Sequence, residues 1–91
     1  MELHELPNIG KELSERIESA GFTSAESLKS AGSQKVFLAL NALDPAICIN
    51  TLYALEGAVR GIRWHKLTTA EKSSLLRFYN LVKSSESTLL K

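Results

Sequence analysis

The sequence predicts an all-α fold: a compact bundle of about five helices with an N-terminal helix-hairpin-helix-like corner. Three observations carry this. Apolar residues recur at steps of three and four in segment after segment. No convincing alternating strand is present. Cap and stop residues punctuate the chain at short intervals, as helix ends require.

The first element follows Leu6-Pro7-Asn8-Ile9-Gly10-Lys11, which reads as a tight hairpin with a short turn ahead of Pro7. Proline fixes one backbone angle there and glycine relaxes another. Leu6, Ile9, Leu13 and Ile17 give an inward apolar face, so a helix is expected from about Gly10 to Ala20, stopped by Gly21. Thr23 and Glu26 have capping-box spacing and start a short second helix through Leu28, with Gly32 as the break. Ser33 is the expected cap of the third helix, whose stripe is Val36, Phe37, Leu40 and Leu43.

Asp44-Pro45 reads as the start of the fourth helix, since aspartate caps well and proline suits the first helical position. That helix, to about Gly61, has one stripe of Cys48, Leu52, Leu55, Val59 and Ile62 and a second surface of Ala54, Gly57, Ala58 and Gly61. Ile49 and Tyr53 cover most of the remainder. A helix apolar on most sides belongs at the centre of a fold, and the small surface admits a neighbouring backbone. Thr68 and Glu71 form another capping box, opening a fifth helix to about Lys83 with Leu75, Phe78, Tyr79 and Val82 on one face. Residues 1–84 therefore read as one domain, and the serine-rich residues 85–91 as a frayed tail.

The 91 residues suffice for one domain, and 44% apolar content supports a real core. No apolar run approaches the roughly 20 residues that span a bilayer. The acidic N-terminus is unlike a secretory signal, and one cysteine excludes an internal disulfide. A reducing, cytoplasmic setting is expected.

Three segments together resemble the C-terminal domain of the TfoX (Sxy) family of bacterial competence regulators. They are Leu6-Pro7-Asn8-Ile9-Gly10-Lys11, Leu52-Tyr53-Ala54-Leu55-Glu56-Gly57-Ala58 and Arg60-Gly61-Ile62-Arg63-Trp64-His65. The resemblance covers the chain from about Leu6 to Tyr79. It implies an all-helical domain with a helix-hairpin-helix-like start, a link to transcriptional control of DNA uptake, and a free-standing copy of a domain usually preceded by another. It supplies no catalytic residue.

Two segments are candidate contact sites. The hairpin offers Asn8, Gly10 and Lys11, whose backbone N–H groups could approach a phosphate. DNA-binding hairpins resemble Pro-Gly-Ile-Gly, and here Asn8 stands where the first glycine would be. From Glu2 to Glu18, five glutamates face Lys11 and Arg16, a local net of −3 that opposes a duplex. A structural corner is the favoured reading. The second segment, from Arg60 to Lys72, carries Arg60, Arg63, Lys66 and Lys72 against Glu71, a net of +3, with Trp64 and His65 between them. Cations interleaved with an aromatic suit a nucleic-acid backbone or an acidic protein surface. The plainer alternative pairs Arg60 with Glu56 one helical turn away and uses Trp64 to close the core.

Other chemistry is poorly served. Cys48 reads as a small core residue, and His4 and His65 lie in no ligand cluster. Glu56 and Asn50 read as polar anchors within a buried helix. No cofactor, metal or small-molecule substrate is implied, and no nucleophile–base pair is visible. The expected function is a non-enzymatic regulatory module acting through protein contacts, with an unidentified protein partner or a homodimer. The alternative is a nucleic-acid-binding regulator using the hairpin or the basic segment. A formal net charge of +1 gives the alternative little support.

Overall fold

The computed structural model describes residues 1–90, with side chains through Ser84; the expectation for the 85–91 tail lies outside the described side chains. After a 3-10 turn at Leu3–Glu5 come α1 (Lys11–Ser19), α2 (Ala25–Ala31), α3 (Ser33–Leu43) and α4 (Ile49–Arg60). A second 3-10 turn at Trp64–Lys66 leads into α5 (Thr69–Leu90). No strand occurs among the described residues. The element before the hairpin is a three-residue turn, so the corner joins a turn to a helix.

The centre is α4, which packs on α2, α3, α5 and the second 3-10 turn. Leu52, Leu55 and Ala58 on α4 are sealed from solvent, together with Ile17, Leu28, Val36 and Phe37. Phe37 meets the Phe78 ring edge-on at 6.4 Å and the Tyr79 ring at 5.9 Å, which docks α5 against α3. Both ends of the described part of α5 are moored. Arg60 reaches Glu71 at one end, and at the other Lys83 Nζ donates to Asn41 Oδ1 and the Pro45 carbonyl, each at 2.7 Å.

Helix ends follow the sequence at three places and depart from it at others. Gly21 and Gly32 adopt positive φ values of 103° and 88°, which stop α1 and α2 as expected. Thr68 and Glu71 exchange both capping-box bonds, at 2.8 and 3.1 Å. The second box forms one residue later than expected: Ser24 caps α2, and Ser27, not Glu26, returns the bond. Ser33 is the first residue of α3 and not its cap, a position taken by Gly32, and its hydroxyl donates to Glu56 Oε1 at 2.5 Å.

The largest departure is at Asp44-Pro45. Asp44 terminates α3, its N–H donating to the Leu40 carbonyl, and its Oδ1 accepts from Ala46 N–H at 3.1 Å. Asp-Pro suits the first two positions of a reverse turn as well as a helix start. Here the turn wins, closed by the Ile47 N–H on the Asp44 carbonyl. The fourth helix therefore starts at Ile49, and Cys48 is its exposed cap instead of a core residue. Burial pushes the Cys48 thiol up, but hydrogen bonding from the Thr51 and Asn50 backbone outweighs it and leaves a lowered pKa. Asn50, expected as a buried anchor, is exposed; Asn41 fills that role on α3. Leu43, expected in the α3 stripe, is 64% exposed.

Candidate partner-binding site

The two segments singled out in the sequence meet through one side chain. Asn8 sits at φ 71°, a left-handed conformation that asparagine tolerates better than most residues. Its amide turns inward. Nδ2 donates to the Ile62 carbonyl at 2.9 Å and to the Ala54 carbonyl at 3.4 Å, while Oδ1 accepts from Trp64 N–H at 3.1 Å. Asn8 thus supplies the partners that the chain leaving α4 lacks. It lies flush against Gly57, where a Cβ would stand 2.4 Å from Nδ2. The small-residue surface admits a neighbouring backbone, as expected from sequence, and the neighbour is the turn after α4 together with this asparagine.

Downstream, Gly61 takes φ 74° and reverses the chain, and the Ile62 N–H bonds the Gly57 carbonyl at 2.9 Å. The reversal presents Trp64 half-buried against Tyr53, with ring centroids 6.1 Å apart and planes 13° from parallel. His65 stacks on Trp64 at 4.3 Å, and Lys72 Nζ lies 5.2 Å from the Trp64 ring centre. Leu67, buried behind the turn, anchors it to the core.

Arg60 is withdrawn from this surface. Its Nε donates to Glu56 Oε2 at 2.5 Å and its Nη1 pairs with Glu71. The Glu56 bond is the main cause of its raised pKa. Glu56, with 17% of its side chain exposed, also accepts from Ser33, so it is the polar anchor expected of it. Arg63, His65 and Lys66 are exposed, and neither Arg63 nor Lys66 joins an ion pair among the described residues. Gly10 and Lys11 line a separate concavity with His4, Ile9 and Ser14.

Of the eight candidate residues, the fold uses Asn8 and Arg60 for itself and leaves Arg63, Trp64, His65 and Lys66 on one ridge. Tyr53 and Lys72 complete that ridge. Sequence reasoning put Tyr53 among the apolar remainder of α4, although its position four residues before Gly57 places both on one face. The placing of Lys72 depends on how α5 crosses α4, which no local pattern encodes. Among the described residues, no three His, Cys, Asp or Glu side chains gather as a metal would need, and no helix is long and apolar enough to cross a membrane.

Glu71 has a measurable consequence for stability. The Thr68 backbone N–H, then the Thr68 hydroxyl, hold its carboxyl below the ordinary value; burial opposes this and Arg60 reinforces it. A carboxyl depressed by folding contributes stability above its unfolded pKa and loses it as pH falls through the folded one. The thermal midpoint is therefore expected to drop as pH falls through and below the ordinary carboxylate range. Glu71→Gln should flatten that dependence in calorimetry; an unchanged profile would show that Glu71 is not a contributor.

No curated protein matches the chain. Two crystal structures of Listeria monocytogenes proteins are similar to it. One, an uncharacterized protein in a triclinic form, is 44% identical, with a TM-score of 0.89 over 91% of this chain and 94% of that one. The other, a protein of unknown function in a tetragonal form, is 47% identical, with a TM-score of 0.84 over 86% and 96%. A family model, the TfoX C-terminal domain, matches residues 1–79. With that match spanning most of its length, the chain belongs to the TfoX C-terminal domain family.

Proposed function

We propose that this domain is a non-enzymatic regulatory module of the bacterial cytoplasm, acting in the control of DNA uptake by docking an acidic surface of a partner protein. One observation carries the reading. Once the fold has consumed Asn8 and Arg60, what remains exposed of the basic segment is a ridge of Arg63, His65 and Lys66 around the stacked Trp64. Tryptophan, tyrosine and arginine are the usual anchors of protein interfaces.

A second reading takes the ring stack, with Lys72 over Trp64, as a platform for nucleic acid. Two features count against a duplex. Asn8 points its amide into the protein, and the helix beside the hairpin is acidic. A salt series separates the readings. Weak or no duplex binding is expected at physiological salt. A protein retained by the wild-type domain after nuclease treatment should be lost with Arg63→Glu and kept with Lys11→Glu. Submicromolar, salt-sensitive binding of an oligonucleotide that Arg63→Glu abolishes would replace the first reading with the second.

A further inference from the structure

The turn between the end of α3 and the late start of α4 leaves a trough against α1. Its volume is about 450 Å³. Leu40 and Ile47, both buried, form the floor, and the exposed Leu43 forms one edge. The rim is predominantly acidic: Glu12, Glu15 and Asp44 against the single guanidinium of Arg16. Arg16 straps the mouth, with Nη2 3.0 Å from Glu12 Oε1 on α1 and Nη1 3.4 Å from Asp44 Oδ2 at the end of α3. Asp44 cannot swing away freely, because its other oxygen holds the Ala46 N–H.

We infer that this trough docks a basic amphipathic helix of a partner protein, an apolar anchor seating on Leu40, Leu43 and Ile47 while flanking Lys or Arg side chains take the rim carboxylates. Charge complementarity selects this occupant. The rim keeps three carboxylates for one cation, on a chain whose overall charge is slightly positive. A cleft lined by helices with an apolar floor is the geometry that receives the apolar face of a helix. Arg16 holds in the free protein the place of a partner cation, so it competes with the ligand. This surface does not depend on the Trp64 ridge, and variants here leave Arg63 and Trp64 untouched.

The test uses the whole chain and a labelled model peptide of about four helical turns, with leucines on one face and lysine and arginine flanking them. A second peptide replaces those cations with glutamate. Anisotropy should show binding of the basic peptide only. Glu15→Gln combined with Asp44→Asn should weaken it about three- to tenfold, as expected for two exposed charges. Leu43→Asp, at an exposed position, should abolish it without changing the thermal midpoint. Arg16→Met should tighten it. Equal binding of both peptides, indifference to Leu43→Asp, or weakening by Arg16→Met would overturn the assignment. So would concentration-dependent self-association that Leu43→Asp removes, since the occupant would then be a second copy.

Discussion

Gly57→Ala is expected to destabilise the domain by about 1–3 kcal/mol, although alanine is intrinsically the better helix former by about 1 kcal/mol. The added Cβ would lie 2.4 Å from Asn8 Nδ2, 2.7 Å from the Ile62 carbonyl oxygen and 3.2 Å from Trp64 N. Two of these neighbours are backbone, and the third is fixed by its own hydrogen bonds. Gly57→Leu should cost more and broaden the urea transition, because no rotamer escapes the same wall. Urea unfolding followed by circular dichroism measures both. Asn8→Gly in the Gly57→Ala background removes only the nearest of the three obstacles, so rescue should be partial and the two changes non-additive. A Gly57→Ala protein as stable as wild type would mean that the turn after α4 can retreat.

Asn8→Ala is expected to cost about 2–4 kcal/mol. Alanine at φ 71° costs on the order of 1–2 kcal/mol. The lost amide leaves Trp64 N–H and the Ile62 carbonyl, both partly buried, without their partner, at about 1–3 kcal/mol for such a group. Asn8→Gly keeps the backbone conformation and loses only the bonds, so it should fall between wild type and alanine. Asn8→Asp keeps an acceptor for Trp64 N–H but sets a carboxylate against two carbonyls, and should unfold more readily as pH rises. In a domain of this size each kcal/mol shifts the midpoint by roughly 4–8 °C, so thermal scans resolve the order. If alanine and glycine proved equivalent, the left-handed backbone would carry no cost.

The fold was largely legible because its signals are local. Apolar spacing marked the core positions of α1, α3, α4 and α5, and glycine marked two of the stops. What the sequence left ambiguous was where one local chemistry serves two structures. Asp44-Pro45 suits a helix start and a reverse turn, and the choice depends on the burial of Ile47, which is tertiary. Ser33 has the chemistry of a cap, but its hydroxyl is turned to donate to Glu56, 23 residues away. Asn8 reads locally as a departure from a phosphate-binding hairpin. Its inward role could not be read locally, because every group it binds lies across the molecule. The ridge itself was half legible: the cations and Trp64 adjoin in sequence, whereas Tyr53 and Lys72 arrive through packing.

The three Asn8 bonds span 46, 54 and 56 residues. Closing loops of that length costs entropy before any contact rewards it. The corner is synthesised before all three partners, and its asparagine lacks its full set of bonds until Trp64 has been made. The corner is therefore among the last parts to settle, and the exposed ridge acquires its final shape only when these earlier-made residues return to it.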